Sequence, residues 1–454
     1  MISVEITYTE IIKRRSMTMT KITFIGAGST IFAKNVLGDA MLTPSLQDAQ
    51  IALYDIDEKR LNESELMLKN INKNSNENRA EILTYHDRKA ALKDADFVIN
   101  AIQVGGYKPS TVIDFEIPKK YGLQQTIGDT MGIGGIFRTL RTLPVMLDFA
   151  KEMEEVCPNA WLLNYTNPMA MLTMGVLKAT TIKTVGLCHS VQVCVPELFE
   201  HLGIAEDYDL KDFQWKIAGI NHMAFLLEIT KNGEDFYPTI RQLAAEKPNP
   251  HPDSVRFELM KRFGYYITES SEHNAEYHPY FIKSNYPELI EEFGIPLDEY
   301  LRRCEQQIND WETMRDEIVN NGELTHTRSR EYASYIMDAI TTGTPTVIAG
   351  NVLNKGLITN LPTDACVEVP CLVDKNGVQP TYVGDLPTQL AALNRTNINV
   401  QELTVKAALT LDKSKIYQAA YLDPHLSSEL SLAEIKNLVD ELIDAHGDYL
   451  PEYK

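Results

Sequence analysis

Positive charge is what this chain has too little of. It sets 43 Lys and Arg against 63 Asp and Glu, for a formal net charge of −20. That balance argues against nucleic acid or an anionic membrane surface as a partner. It also lends no bulk attraction to phosphorylated substrates, which would need a local basic pocket. Long apolar runs are missing as well, and none approaches the roughly 20 residues of a membrane span. Cysteine is sparse: the six positions 157, 188, 194, 304, 366 and 371 contain no CxxC pair. That usage fits reduced thiols in a cytoplasmic protein better than a disulfide scaffold. Residues 1–18 are polar and β-branched, carry Lys13-Arg14-Arg15, and lack the apolar core of a signal peptide. Met17 and Met19 stand just before the first strand. The expectation is therefore a poorly ordered extension over 1–18, or an upstream start codon.

What is present is ordinary in bulk and specific in pattern. A chain of 454 residues with 44% hydrophobic and 23% charged content buries a large core and suggests two domains. No internal repeat or low-complexity segment interrupts it. Short apolar runs alternate with helical stretches: Lys21 to Gly26, Ile51 to Tyr54, Ile82 to Tyr85, Ala95 to Ala101, Ala160 to Tyr165, and Thr184 to Leu187. Strands and helices in that alternation predict an α/β, Rossmann-type parallel sheet over 19–200. Beyond about 200, Trp215 to Glu228 and Val347 to Val369 hold strand-like runs. The stretches 284–340 and 385–445 carry helical periodicity, and Pro248 to Pro252 reads as a loop. Residues 201–454 are thus expected to form a mixed, helix-rich α+β domain for substrate binding and oligomerisation, packed over the cofactor cleft.

Gly26-Ala27-Gly28-Ser29-Thr30 ends the first apolar run and opens a helical stretch. A glycine turn at a helix N-terminus exposes backbone N–H groups that hold a pyrophosphate. Gly26 and Gly28 fill the first two glycine positions of a dinucleotide fingerprint, and Ile31 stands where the third is expected. Asp55 ends the second run. A carboxylate there accepts both ribose hydroxyls and repels a 2′-phosphate, so the pair points to NAD over NADP. The strand ends converge on Gly28, Asp55, Gln103, Asn167 and Cys188, where ligands of such sheets gather.

Further polar residues mark the chemistry. Cys188 follows a strand, and His222 lies in a polar turn between apolar runs; thiolate and imidazole are good ligands for a divalent transition metal. Read singly, a Cys or a His at such a place is more often a core or surface residue than a ligand. Pro168 stops a strand and turns the Asn167 amide toward the cleft. Asp129 lies in a glycine-rich loop, Gln125 to Gly135, followed by Arg138 and Arg141, which read as the solvated face of the next helix. Ser270 to Tyr277 is dense in acid–base groups, yet alone could be a polar helix surface.

Taken together, these segments resemble glycoside hydrolase family 4, most nearly its melibiase-type α-galactosidases. The resemblance runs from about Lys21 to the C-terminus. It is carried by Phe24 to Thr30, Leu53 to Asp57, Gln103 to Gly106, Gln125 to Arg138, Leu163 to Met169, Gly186 to Ser190, Gly219 to Met223 and Glu269 to Tyr277. It implies the lactate/malate dehydrogenase architecture and an NAD-dependent glycosidase, an exception to two-carboxylate hydrolysis. The implied reaction oxidises sugar C3, removes the C2 proton, eliminates the C1 leaving group, adds water and returns the hydride. By the same resemblance, Gly26, Gly28, Ser29, Thr30, Asp55 and Gln103 bind NAD, and Cys188 and His222 hold the metal, usually Mn²⁺. Asn167 binds substrate, Tyr277 is the base among the nearby Tyr265, Tyr266 and Tyr280, and Asp129 tunes that base.

One position departs from part of the family. Its phospho-glycosidases carry an Asp general acid directly after the metal Cys, and here that residue is His189. The departure argues against a 6-phosphosugar and makes His189 a candidate acid, with Glu272 and His273 as others. The expected substrate is a small α-galactoside such as melibiose, and the expected assembly a homodimer or homotetramer. An α-glucosidase, α-glucuronidase or 6-phospho-glycosidase stays open as an alternative. So does a 2-hydroxyacid dehydrogenase, which would show net redox turnover.

Overall fold

The first six strands pair edge to edge as near-continuous apolar runs, because both faces of a parallel sheet are covered. In β1 (Lys21–Ile25) every residue is buried, and it pairs in parallel with β2 (Gln50–Tyr54) on one side and β4 (Phe97–Asn100) on the other. Next to β2 lies β3 (Glu81–Tyr85), and beyond β4 lie β5 (Trp161–Asn164) and β6 (Lys183–Gly186). The order β3-β2-β1-β4-β5-β6 is that of a dinucleotide-binding sheet, with its direction of winding switching between β1 and β4. The computed structural model describes residues 19–454, so the expected extension over 1–18 falls outside the described residues.

Connecting helices follow local signals. Asp57 caps the helix Glu58–Asn76 by accepting the Arg60 N–H at 3.0 Å, and Leu61, Met67, Leu68 and Ile71 form its buried stripe. The helix Thr30–Met41 starts directly after the glycine turn without a side-chain cap.

The sheet does not stop at β6. It continues antiparallel through β10 (Thr346–Leu353), β11 (Cys366–Asp374), β7 (Phe213–Ile220), β8 (Met223–Lys231) and the short β9 (Glu234–Asp235), with β12 (Gly377–Pro380) on β11. β10 joins β6 at one pair, Asn351 with Gly186, and β11 joins β7 at one pair, Glu368 with Gly219. Asn351 and Glu368 are themselves register partners, and the Asn351 amide donates to Glu368 Oε1 at 2.9 Å. Four residues therefore form one row across four strands.

Two apolar cores result. The larger fills both faces of the parallel sheet and reaches the helices Gly132–Val156 and Thr388–Thr410. A smaller one, with Phe199, Phe213, Phe236 and Ile240, lies under β7 and β8. Beside the smaller core, the buried Asp253 accepts hydrogen bonds from Arg256, from the Tyr266 hydroxyl at 2.6 Å and from Ser271 at 3.3 Å, with His201 Nδ1 at 3.3 Å.

Arg138 and Arg141 do not form a solvated face. Arg141 is 1% exposed and grips Asp114 with both terminal nitrogens, at 3.2 and 2.6 Å. His446, from the last long helix Leu432–His446, also reaches Asp114 at 2.9 Å. Arg138 is buried against Tyr300, which comes from the helix Glu299–Ile318. Partners from distant segments turned these charges inward. No described helix is long and apolar enough to cross a membrane.

Candidate active site

The turn after β1 is built on glycine for a geometric reason. Gly26 has φ +91°, and a Cβ there would lie 2.7 Å from the Ala101 carbonyl oxygen, at the end of β4. Gly28 donates its N–H to Asp55 Oδ2 at 2.6 Å, and Asp55 Oδ1 accepts the Asp57 N–H at 2.9 Å. The strand-end carboxylate is thus tied to the glycine turn it faces. Thr30, Ile31 and Phe32 at the helix start find no backbone acceptor for their N–H groups among the described residues. A phosphate cradle needs such free donors. Ser29 and Gln103 are exposed at the rim. Thr30 is different: its hydroxyl turns inward, donating to Gly28 O at 3.4 Å and accepting from Ser64 at 3.2 Å. Only its main chain faces the cradle. These features fit a bound NAD.

A second cluster gathers at the same end of the sheet. Cys188 follows β6, and Asn167 follows β5. His222 stands at the β7–β8 tip in a left-handed conformation, φ +64°. Tyr277 ends the short helix Ser271–Glu276. Cys188 Sγ, a ring nitrogen of His222 and a carboxylate oxygen of Glu269 all lie within 4.8 Å of one another. Thiolate, imidazole and carboxylate form a donor set that fits a divalent transition metal. His222 Nδ1 lies 2.9 Å from the Tyr277 hydroxyl, and its Nε2 lies 3.2 Å from Glu269 Oε2. Asp129 accepts from Thr130 at 2.7 Å and from the Asn167 amide at 3.2 Å, with His273 Nε2 at 3.6 Å. Five separate loops therefore bring Asn167, Asp129, Cys188, His222 and Tyr277 together.

The charges in this cluster are mutually set. Burial would push Asp129 up, but His273, 3.6 Å away, and the Arg138 charge hold it well below the usual carboxylate range. Glu269 is likewise held low, against burial, by His222 and His273. His273 is raised because Glu269 and Asp129 outweigh its burial. Burial lowers His222, and burial then Asp129, Glu276 and Glu269 push the Tyr277 phenol up. The Cys188 thiol is raised by burial and then by Glu368 and Glu269. Glu276 sits at about 7, because burial outweighs two backbone N–H groups, Thr126 and Gly128, each 2.8 Å from its carboxylate. Those two bonds anchor the glycine-rich loop that carries Asp129.

His189 stands at the mouth, half-exposed, with Nε2 2.8 Å from Glu331 Oε2. Glu331 outweighs burial and raises the imidazole. The segment Ser271–Glu276 is a buried wall of the cluster, not a polar surface, because Glu276 accepts hydrogen bonds from the glycine-rich loop and His273 faces Asp129 and Glu269. Sequence reading assigned no role to Glu269, Glu276 or Glu331. Glu269 opens a segment already singled out, so proximity to His273 and Tyr277 was available as a signal. Glu331 carries no local signal, for its partner lies 142 residues away.

Comparison with known proteins adds an independent line. A model of the family 4 glycosyl hydrolases matches residues 21–204, and a model of the family 4 C-terminal domain matches residues 217–426. An alpha-galactosidase of Bacillus subtilis (strain 168) is 64% identical over 437 residues, covering 96% of this chain and 100% of its own. The 6-phospho-beta glucosidase of Thermotoga maritima, solved with manganese, NAD⁺ and glucose-6-phosphate, superposes with a TM-score of 0.78 at 22% identity. It covers 95% of this chain and 100% of its own. Malate dehydrogenase of Cryptosporidium parvum superposes with a TM-score of 0.53 at 14% identity, covering 87% and 100%. The last two likenesses bear out the expected dehydrogenase-like α/β fold and nothing more.

Proposed function

Because this chain belongs to family 4 of the glycosyl hydrolases, we propose that it is an NAD- and divalent-metal-dependent α-galactosidase. Identity of 64% to an alpha-galactosidase along nearly the whole chain supports the choice of sugar. The observation that carries the chemistry is the His222 ring, which reaches Tyr277 through one nitrogen and the Glu269 side of the donor set through the other.

When bound, the two groups supply a reversible hydride acceptor for sugar C3 and Lewis-acid stabilisation of charge on the C2 and C3 oxygens. The protein's own residues do the rest. Gly26, Gly28, Ser29, the Thr30 main chain, Asp55 and Gln103 hold NAD, and Cys188 with His222 holds the metal. Asn167 offers an amide to a sugar hydroxyl and is itself oriented by Asp129. Tyr277 takes the C2 proton, which is acidic only next to a C3 ketone. Asp129, kept ionised, increases the proton affinity of that phenol. His189, paired with Glu331, is the proposed acid for the leaving oxygen.

The setting follows the same reading. Six cysteines, none in a disulfide, fit the cytoplasm. Exposed Val347 and Leu372, register partners in β10 and β11, fit a homodimer or homotetramer contact.

The test is p-nitrophenol release from the α-galactoside with NAD⁺ and Mn²⁺, run beside gluco, glucurono, galacturono and 6-phospho substrates. Turnover of the galactoside above the others, with no net absorbance change at 340 nm, is the expected result. A faster 6-phosphosugar, or net NADH formation, overturns it.

A further inference from the structure

The reading above gives the metal Cys188 and His222 alone, yet the placement of Glu269 beside them is costly. It adopts φ +63°, a left-handed conformation that a residue with a Cβ rarely holds. The Asn274 amide faces three successive carbonyls, Thr268, Glu269 and Ser270, at 2.9, 3.3 and 3.1 Å. Those contacts fix the turn and aim the side chain at the cluster. One carboxylate oxygen is then secured: Oε1 accepts the Ser270 N–H at 3.1 Å and faces His273 Nδ1 at 3.2 Å. The other, Oε2, has only His222 Nε2 as a close partner among the described residues, at 3.2 Å.

The neighbouring carboxylates are engaged differently. Both Asp129 oxygens accept hydrogen bonds, from Thr130 and Asn167. Both Glu276 oxygens accept backbone N–H groups. Glu368 Oε1 is bonded to Asn351, and its Oε2 is buried without a partner among the described residues, but Glu368 is not in the group that closes on Cys188 and His222. One carboxylate oxygen of Glu269 lies within 4.8 Å of both Cys188 Sγ and a ring nitrogen of His222, and Oε2 is the oxygen that faces His222 Nε2. Two donors about 2.1 Å from a common ion, at right angles, stand about 3.0 Å apart. The 3.2 Å between Nε2 and Oε2 suits adjacent ligands of one ion as well as it suits a hydrogen bond.

We propose that Glu269 is a third protein ligand of the divalent metal, completing a Cys188–His222–Glu269 set. The inference rests on the metal reading of Cys188 and His222. Thiolate and carboxylate with neutral imidazole bring two negative charges, which balance a divalent ion in this buried place. Three protein donors leave coordination positions for two vicinal sugar oxygens. The His273 and Ser270 contacts to Oε1 then orient a metal ligand, as partners of ligating carboxylates do.

The experiment titrates Mn²⁺ into the metal-stripped full chain with NAD⁺ present, following the electron paramagnetic resonance of free Mn²⁺. Wild type, Glu269→Gln, Glu269→Ala, Cys188→Ser and His222→Ala are compared. Glu269→Ala is expected to weaken Mn²⁺ by on the order of 10–100-fold, and Glu269→Gln by less, with NAD⁺ affinity unchanged in Glu269→Gln. With Co²⁺ in place of Mn²⁺, both variants should keep the thiolate charge-transfer band of Cys188 and shift the d–d bands. Glu269→Gln preserves volume and covers the case in which Ala does not fold. Mn²⁺ affinity within twofold of wild type, with unshifted Co²⁺ d–d bands, overturns the assignment. If Cys188→Ser and His222→Ala also bind Mn²⁺ as wild type does, the underlying metal site falls with it.

Discussion

His222 and Tyr277 share a contact of 2.9 Å between Nδ1 and the phenolic oxygen, with the two rings inclined by only 16°. A histidine that binds a metal through Nε2 keeps its proton on Nδ1 and donates it outward. Here the acceptor is the phenol oxygen. The same imidazole can therefore hold the ion and favour the tyrosinate.

Tyr277→Phe should keep fold, NAD⁺ and Mn²⁺ binding and lose roughly 10²–10⁴-fold in kcat, the usual worth of a positioned base. Turnover of the wild type in D₂O should place deuterium at C2 of the released sugar. The variant should show little such exchange. Retention of the original hydrogen at C2 by the wild type would sink the elimination mechanism.

Metal removal should abolish hydrolysis and Mn²⁺ restore it. Cys188→Ser and His222→Ala should each lower activity at least about 100-fold, while leaving NAD⁺ affinity, measured by fluorescence quenching, unchanged; metal second-sphere losses alone reach 10–100-fold. Because a thiolate ligand is oxidisable, activity should fall in air and return with added thiol. Metal content unchanged in both variants would refute the ligand assignment.

Asp55, the proposed ribose reader, accepts the Gly28 N–H. Asp55→Ala should weaken NAD⁺ by about 10-fold, of the order of one charged hydrogen bond, and narrow its preference over NADP⁺. Mn²⁺ affinity should not move. Calorimetric titration with both dinucleotides checks this, and an unchanged preference would count against Asp55 as the ribose reader.

Asp253 is held at about 2, below its ordinary 3.8: burial opposes ionisation, and the charge of Arg256 with the His201 and Tyr266 contacts more than overcomes it. A depressed carboxylate contributes stability that is complete above about pH 4 and is lost as pH falls through about 2. Asp253→Asn strands a buried Arg256 and should cost about 3 kcal/mol near neutral pH. Urea unfolding at several pH values should show a constant gap between wild type and variant above pH 4 that closes toward pH 2. A gap that widens on acidification would contradict the assignment.

Strands β1 to β6 were legible because each is a short apolar run between polar breaks, and apolar runs need no distant information. Gly26, Asp55, Asn167 and Cys188 followed, since strand ends place ligands. Other features had no local trace. Arg138 and Arg141 read as solvated because charge alone predicts exposure; only Tyr300, Asp114 and His446, brought from far along the chain, make their burial tolerable. The insertion of β10 and β11 between β6 and β7 is likewise non-local, and so is the pairing of Glu331 with His189.

That insertion has a consequence for the donors it separates. Cys188 hangs two residues past Gly186, and His222 three residues past Gly219, on strands that never touch. Between them stand Asn351 and Glu368, linked to each other and to the two glycines in one row. The bite of the thiol–imidazole pair is therefore gauged by two residues that donate nothing to it. Altering the width of that gauge, at Asn351 or Glu368, would retune which ion is gripped while every donor stays in place.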